Sequence, residues 1–235
     1  GYSEGEPVLR DLSFRLEPGR TLGLLGRTGS GKTTITRLLF RLYDPQAGRV
    51  KVDDVDLVQA RASDIRRRVA MVTQDVHLFR ASLRDNVALF SRDIADDAIV
   101  EVLRELGLGT WYDALPDGLD SVLESAGVGM SAGQQQLLAF ARVFLRDPGV
   151  VILDEPSSRL DPATEQHVEA AVARLLHGRT GIIIAHRLAT VRRVDDVMIV
   201  EDGQIAEIGP RAALARDSTS RYTELLQTGM EDALS

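Results

Sequence analysis

The sequence predicts an α/β fold whose sheet is mainly parallel. Short, almost wholly apolar runs such as Val150–Leu153 and Ile182–Ile184 have the composition of strands buried on both faces. Longer segments with apolar residues at helical spacing lie between such runs, and this alternation is typical of a parallel sheet. The chain has 235 residues, of which 44% are hydrophobic and 27% charged, which is the composition of an ordinary folded protein of one or two domains.

The first half of the chain contains a clear strand–turn–helix unit. Thr21–Leu25 has the composition of a short buried strand, and a glycine-rich turn separates it from a helical pattern that starts at Lys32. We expect its apolar face to extend to Leu42 and the helix to end at Tyr43-Asp44-Pro45, because the residue before proline disfavours the α conformation. The other elements predicted in this half are two strands, a helix and a loop: Arg49–Val52, Val69–Thr73, Asp93–Leu106 and Tyr112–Gly129.

The second half repeats the alternation. A helix is predicted from Ser131 to Leu145, and Ser131 with Gln134 forms the S-x-x-Q pattern of a capping box, which places a helix N-terminus suited to anions behind it. Asp161-Pro162 supplies the N-cap and first residue of another helix. Asp202-Gly203 predicts a hairpin turn between two strands. The strands of this half are Val150–Leu153, Ile182–Ile184, Val197–Val200 and Gln204–Ile208.

Composition excludes several classes of function. The chain has no cysteine, so disulfides, thiolate catalysis and cysteine metal sites are excluded. A net charge of −7 argues against a general affinity for nucleic acid. The longest apolar runs are far shorter than the roughly 20 residues that a transmembrane helix needs.

A phosphate-binding motif follows the first strand. Gly26-Arg27-Thr28-Gly29-Ser30-Gly31-Lys32-Thr33 matches G-x-x-x-x-G-K-[ST], in which backbone N–H groups converge on phosphate oxygens at a helix N-terminus. We expect Lys32 to reach the β- and γ-phosphates and the Thr33 hydroxyl to bind Mg²⁺. All basic residues except Lys32 and Lys51 are arginine, which indicates that a compact ammonium is needed at Lys32.

Two carboxylates end a later strand. Asp154 and Glu155 follow Val150–Leu153, where Asp154 is expected to hold Mg²⁺ and Glu155 to orient and deprotonate water. Alone this pattern also fits a solvated strand end. Combined with the phosphate motif it predicts a nucleotide hydrolase.

Further features occur in a fixed order with these two motifs: Tyr2, Gln74, Met130-Ser131-Ala132-Gly133-Gln134, Ser158-Arg159-Leu160-Asp161 and His186. With them the sequence resembles the ATP-binding cassette (ABC) family along essentially its whole length. The runs His186-Arg187-Leu188 and Leu78–Val87 are similar to those of the exporter type.

The resemblance implies a role for each of these residues. Tyr2 would stack on adenine, Gln74 would contact Mg²⁺ or the attacking water, and His186 would contact the γ-phosphate. Mg²⁺ would be held by Thr33, Gln74 and Asp154, with Glu155 as the catalytic base. The phosphates would be bound by residues 26–34, which include Thr34, and Ser131, Gly133, Gln134 and Asp161 would contact a nucleotide held by a second domain.

The resemblance also implies an architecture and partners. It implies a RecA-like P-loop NTPase core with a mainly parallel sheet, a small antiparallel β subdomain near the N-terminus and an inserted helical subdomain of roughly residues 75–145. Residues 1–235 would form one ATP-binding domain of a longer polypeptide, with ATP and Mg²⁺ as cofactors. Its partners would be a second nucleotide-binding domain, in a homodimer or heterodimer, and a transmembrane domain that alone provides membrane association. The location implied is the cytoplasmic face of the cell membrane, without nucleic acid.

Some residues depart from the family pattern. Met130 replaces a leucine and Ala132 replaces the first glycine of the signature L-S-G-G-Q, and Ser121–Ser125 replaces the acidic loop of exporters.

The sequence leaves three alternative functions open: an importer ATPase, a soluble ABC ATPase, and an ATP-binding half with an inactive site. Retention of Glu155 and His186 argues against the last. The DNA-repair members of the soluble class insert long coiled coils, whereas only 57 positions separate Gln74 from Ser131 here.

Overall fold

The computed structural model describes residues 7–124, 129–154, 162–185 and 188–228. The strands are β1 (Thr21–Leu25), β2 (Lys51–Val52), β3 (Val55–Asp56), β4 (Val69–Val72), β5 (Ala81–Ser82), β6 (Val122–Leu123), β7 (Val150–Asp154), β8 (Thr180–Ile184), β9 (Asp196–Glu201) and β10 (Gln204–Pro210). The α-helices are α1 (Lys32–Leu39), α2 (Ala62–Arg68), α3 (Leu83–Ala88), α4 (Asp96–Glu105), α5 (Gly109–Asp113), α6 (Ala132–Phe144), α7 (Pro162–Leu176), α8 (Leu188–Val191), α9 (Arg211–Leu214) and α10 (Arg221–Thr228). Within the described ranges, no helix combines the length and apolarity that crossing a membrane requires.

The chain divides into two compact units. Unit 1 comprises residues 1–71, 149–155 and 178–235, and unit 2 comprises residues 72–148 and 156–177. Unit 2 includes α7 as well as residues 75–145, the approximate range that the resemblance implies for a helical subdomain.

Unit 1 is built on a six-stranded sheet with the order β10-β9-β1-β8-β7-β4. The neighbours β9, β1, β8 and β7 are parallel, and β10 pairs antiparallel to β9. The predicted α/β fold with a mainly parallel sheet is therefore confirmed. One core cluster joins β1, α1, β8 and β9 through Leu22, Leu24, Ile35, Ile182, Ile184, Met198 and Val200.

Part of the small antiparallel β subdomain expected near the N-terminus falls on residues 1–6, which lie outside the described residues. Residues 7–20 contain no strand in the described chain. Antiparallel pairs that the described residues of unit 1 form are β2–β3 and the β9–β10 hairpin. The hairpin confirms the predicted turn, because Asp202 and Gly203 have φ angles of +47° and +76°, as a two-residue type I′ turn requires.

Helix α1 ends earlier than the sequence predicts. It stops at Leu39, and Arg41 adopts the left-handed conformation with φ +49°. Two backbone hydrogen bonds close the end of the helix: Leu42 N–H donates to Arg37 O at 2.8 Å, and Arg41 N–H donates to Leu38 O at 3.0 Å. This is a Schellman ending. The Arg41 guanidinium donates to Ala60 O at 2.6 Å and to Val58 O at 3.0 Å, which favours this geometry. Leu42 is consequently exposed instead of continuing the apolar face.

Unit 2 is organised around α6, which packs against α3, α4 and α7. Its buried side chains include Leu138 and Phe140, neither of which is accessible to solvent. The segment 112–129, predicted as a loop, contains the end of α5, a 3₁₀ turn at Gly118–Asp120 and β6. Strand β6 forms because its two residues pair with β5, a contact between distant segments.

Candidate functional site

The phosphate motif lies between β1 and α1, as the sequence predicts. All five residues of β1 are buried, residues 27–29 are exposed, and α1 begins at Lys32. Gly31 precedes the helix with φ +111°, a conformation that L-residues rarely adopt. The N-cap Gly31 makes no side-chain hydrogen bond to α1, and a helix N-terminus is a site that favours anions.

The first glycine of the motif is required by its surroundings. Gly26 has φ +144°, and a Cβ there would lie 2.2 Å from the carbonyl oxygen of Val200 and 2.7 Å from Ser30 Oγ. Any larger residue would push the loop away from β9. The turn can therefore form only with glycine at this position.

Two side chains of the loop are suited to phosphate. Lys32 is 5% exposed, and its Nζ donates to Gly26 O at 2.5 Å and to Arg27 O at 2.8 Å, so the ammonium is held inside the loop. The Ser30 hydroxyl is also buried and has no hydrogen-bond partner among the described residues. A buried orphan hydroxyl beside a held ammonium is the arrangement expected where phosphate oxygens bind.

Asp154 lies at the same edge of the sheet as this loop. It is paired with Ile184 of β8, which is itself paired with Leu24 of β1, so Asp154 lies level with the end of β1. Two strand spacings place its Cα about 10 Å from that of Leu24. Thr33 is exposed in the first turn of α1, and Thr34 is half-buried beside it. Hydroxyl and carboxylate oxygens are ligands that Mg²⁺ takes together with phosphates, so these residues fit the ion.

The signature segment is a capped helix N-terminus. Gln134 N–H donates to Ser131 Oγ at 3.1 Å, and Ser131 N–H donates to Gln134 Oε1 at 2.9 Å, which confirms the predicted capping box. Because Ser131 Oγ accepts in this pair, its own hydrogen remains available for donation. Ala132 is exposed and begins α6, whereas Gly133 is buried.

The chain matches a sequence family described as "ABC transporter" over residues 9–158. It is similar to an ATP-dependent lipid A-core flippase of Alcanivorax borkumensis, with 37% identity over 233 residues that cover 99% of this chain and 40% of that protein. It is also similar to an ATP-dependent lipid A-core flippase of Burkholderia thailandensis, with 42% identity over 211 residues that cover 90% of this chain and 35% of that protein.

A solved structure titled "Structure of a bacterial Atm1-family ABC exporter with ATP bound" has a TM-score of 0.87 and 31% identity, covering 97% of this chain and 40% of that one. The chain belongs to the ABC transporter family. It corresponds to the ATP-binding domain of that family, and it spans 35–40% of the length of these relatives.

Four predicted site residues of this ABC domain lie outside the described residues: Tyr2, Glu155, Asp161 and His186. Gln74 is described; it is half-buried, two residues beyond β4, and belongs to unit 2. The roles assigned to these five residues stay predictions, as do those of the other predicted site residues.

Sequence analysis missed a polar clamp in unit 2 of the ABC domain. Asn86 has no exposed surface, and its amide accepts from Phe79 N–H at 2.8 Å and donates to Phe79 O at 2.9 Å and Ser82 O at 3.1 Å. Arg142 on α6 donates to Asn86 O at 2.9 Å and His77 O at 3.0 Å. Burial lowers the pKa of Arg142 from its usual value. The only sequence signal was an asparagine inside a six-residue helix.

Proposed function

We propose that the chain is the ATP-hydrolysing domain of an ABC exporter, which uses ATP binding and hydrolysis to drive translocation of a substrate across a membrane. The observation that carries the proposal is the phosphate loop, in which a buried ammonium and an unpartnered buried hydroxyl lie at the start of α1. The exporter type is supported over an importer or a soluble ATPase by the flippases and the exporter that the chain resembles.

Residues 26–34 bind the triphosphate in this proposal, and Tyr2 stacks on the adenine. Lys32 exchanges its loop carbonyls for the β- and γ-phosphates, and the Ser30 hydroxyl gains the partner that it lacks. Mg²⁺, when bound, neutralises charge that develops on the phosphates. The residues that hold it are Thr33, Asp154 and Gln74.

Hydrolysis requires a base and a group that positions the water. Glu155 accepts a proton from the attacking water, and His186 contacts the γ-phosphate. In the sequence, Glu155 directly follows β7, and His186 lies two positions after the end of β8. Both strands belong to the parallel part of the sheet. Functional groups of α/β proteins are commonly carried at that edge of the sheet.

A second domain completes each site. Ser131, Gly133, Gln134 and Asp161 of one domain contact the nucleotide held by the other, so that two domains assemble head to tail. The capped N-terminus of α6 offers backbone N–H groups and the Ser131 hydroxyl hydrogen to the γ-phosphate. The second domain is either another copy or a related chain.

The assembled pair acts on a transmembrane domain. ATP binding closes the pair and hydrolysis reopens it, which drives alternating access. The domain then works at the cytoplasmic face of the cell membrane and reaches the membrane through that transmembrane domain only.

The test is the substitution Glu155→Gln, which keeps size and hydrogen bonding but removes the base. We expect ATP hydrolysis to fall about 100-fold, the usual scale for loss of a general base, while MgATP still binds. Size-exclusion chromatography with MgATP should then show more dimer than for the wild type. Lys32→Ala is the matched control, because it should remove binding and dimer together. Wild-type turnover by Glu155→Gln would exclude Glu155 as the base.

A further inference from the structure

The tip of the β9–β10 hairpin is buried, which is unusual for a surface turn. Gly203 is the second residue of the turn, and unlike its exposed neighbours Glu201 and Asp202 it is covered by other parts of unit 1. Hairpin tips normally lie in solvent. The segments that cover this one are the phosphate loop and residues 8–10.

The hairpin contacts both ends of the phosphate loop through backbone atoms. Gly203 N–H donates to Ser30 O at 3.0 Å. At the other end of the loop, Gly26 packs so closely on Val200 that a Cβ would lie 2.2 Å from the Val200 carbonyl oxygen. The contact follows from topology, because β9 is the parallel neighbour of β1 and both strands end at the same edge.

Residues 8–10 contact both the hairpin turn and the phosphate loop. Arg10 N–H donates to Gly203 O at 2.9 Å, and a Cβ on Gly203 would lie 2.0 Å from Val8 O. Leu9 reaches the loop itself, since a Cβ on Gly31 would lie 2.6 Å from Leu9 Cδ2. The phosphate loop is thus enclosed by two segments that the nucleotide motif does not include.

We propose that Val8–Arg10 and Asp202-Gly203 form a brace that holds the phosphate loop in its phosphate-binding conformation. Leu9 and Gly203 are then positioning residues for ATP. The inference rests on the proposed function, because it assumes that nucleotide binds this loop. It adds that affinity for nucleotide is set partly by residues far from the motif in sequence.

The expected size of the effect follows from the population of the competent loop. The apparent dissociation constant equals the intrinsic one divided by the competent fraction. If loss of the brace lowers that fraction to about one tenth, the dissociation constant for MgATP rises about tenfold. Turnover at saturating ATP should change by less than about twofold, because bound nucleotide restores the loop.

The first test compares Leu9→Ala with Leu16→Ala in the whole chain. Both leucines are half-buried and pack against the same core cluster of unit 1, so both truncations should lower the melting temperature similarly. We expect calorimetric titration with MgATP to give about tenfold weaker binding for Leu9→Ala and a change below about twofold for Leu16→Ala. Leu9→Met should restore binding. Equal affinities for the two alanine variants would overturn the brace.

The second test compares Gly203→Ala with Gly19→Ala. The two glycines have nearly the same φ, +76° and +74°, but a Cβ on Gly19 has nothing within 4 Å. Because the two φ angles match, both substitutions should introduce similar backbone strain. Gly203→Ala should therefore give a higher KM for ATP than Gly19→Ala, with a similar kcat. If Gly203→Ala does not fold, the leucine pair decides.

Linkage gives an independent readout. If the brace strengthens nucleotide binding, bound nucleotide must stabilise the brace by the same coupling free energy. Hydrogen exchange of the Arg10 and Gly203 amides should therefore slow in wild-type chain when MgADP is added. Exchange that does not respond, in a chain that binds MgADP, would refute the brace alone. A wild-type chain that binds no nucleotide, or Lys32→Ala binding as tightly as wild type, would instead refute the proposed function.

Discussion

The second glycine of the signature is constrained inside the chain itself, and this can be tested by Gly133→Ala. A Cβ on Gly133 would lie 1.8 Å from Thr164 Cγ2 and 3.0 Å from Thr164 Cβ. Carbon atoms in contact are normally about 3.5–4 Å apart, so the Thr164 side chain would have to rotate or α6 and α7 would have to separate. Overpacking of this kind costs about 1–3 kcal/mol. For a chain of this size that corresponds to a fall in melting temperature of roughly 2–12 °C, measured by thermal unfolding.

Two further variants make the result specific to Thr164. Gly149→Ala adds the same methyl where nothing lies within 4 Å and φ is not positive, so its melting temperature should be unchanged or slightly higher. Thr164→Ala removes the atom at 1.8 Å, and we expect the double variant to recover at least about 1 kcal/mol relative to additivity. A wild-type melting temperature for Gly133→Ala, or strictly additive effects, would refute the reasoning.

The same set of single and double variants separates two causes of impaired ATP-dependent dimerisation. Gly133 is also proposed to contact a partner's nucleotide, so Gly133→Ala is expected to impair ATP-dependent dimerisation. If Thr164→Ala restores both stability and dimer formation, the impairment arose from helix displacement. If it restores stability alone, the methyl blocks the partner's nucleotide directly.

Three other substitutions test separate parts of the domain. Lys32→Ala should weaken MgATP binding by at least about 10- to 100-fold in calorimetric titration, because charge-assisted hydrogen bonds contribute about 1.5–3 kcal/mol each; unchanged affinity would contradict the phosphate-loop assignment. Arg142→Met should lower the free energy of unfolding by about 2 kcal/mol in urea, since the Asn86 carbonyl loses its donor, whereas the exposed Arg146→Met should be nearly neutral. If the proposed contact with a second domain forms, Ala132→Gly should raise ATPase activity by removing an exposed methyl from the N-terminus of α6, and unchanged activity would mean that the methyl is tolerated.

The elements that sequence predicted well are those whose signal is local. β1, β7 and α6 have apolar runs or capping residues within their own length, and the structure places each within about one residue of its predicted bounds. The hairpin turn was predictable because Asp-Gly favours the two left-handed conformations that it requires.

The elements that sequence missed depend on distant contacts. Helix α3 has only six residues, and its Asn86 is stabilised by the backbone of residues 79–82 and by Arg142 from α6. The end of α1 was misplaced because the guanidinium of Arg41 finds carbonyls on residues 58 and 60. No pattern within either helix carries this information.

The same distinction applies to the site. The phosphate motif is contiguous, so its residues and the strand and helix around it follow from sequence. Gly203 contacts Ser30 across 173 positions of chain, and Gly133 meets Thr164 across 31, so neither contact has a local signal. Gly203 is explained locally by the predicted hairpin turn, and Gly133 by its place at the start of a predicted helix. Because these local explanations were sufficient, nothing in the sequence indicated the further contacts of the two glycines.

The two central positions of the signature therefore carry different constraints, although the family pattern writes both as glycine. Ala132 is exposed in the first turn of α6, where a helical backbone accepts a Cβ and the methyl meets nothing that would prevent folding. Gly133 faces α7, where a Cβ has no room. Selection for folding alone would keep the glycine at 133 and would permit alanine at 132, which is the pattern that this chain has. An effect of Ala132 on the proposed contact with a second domain would consequently not be visible in the stability of the isolated chain.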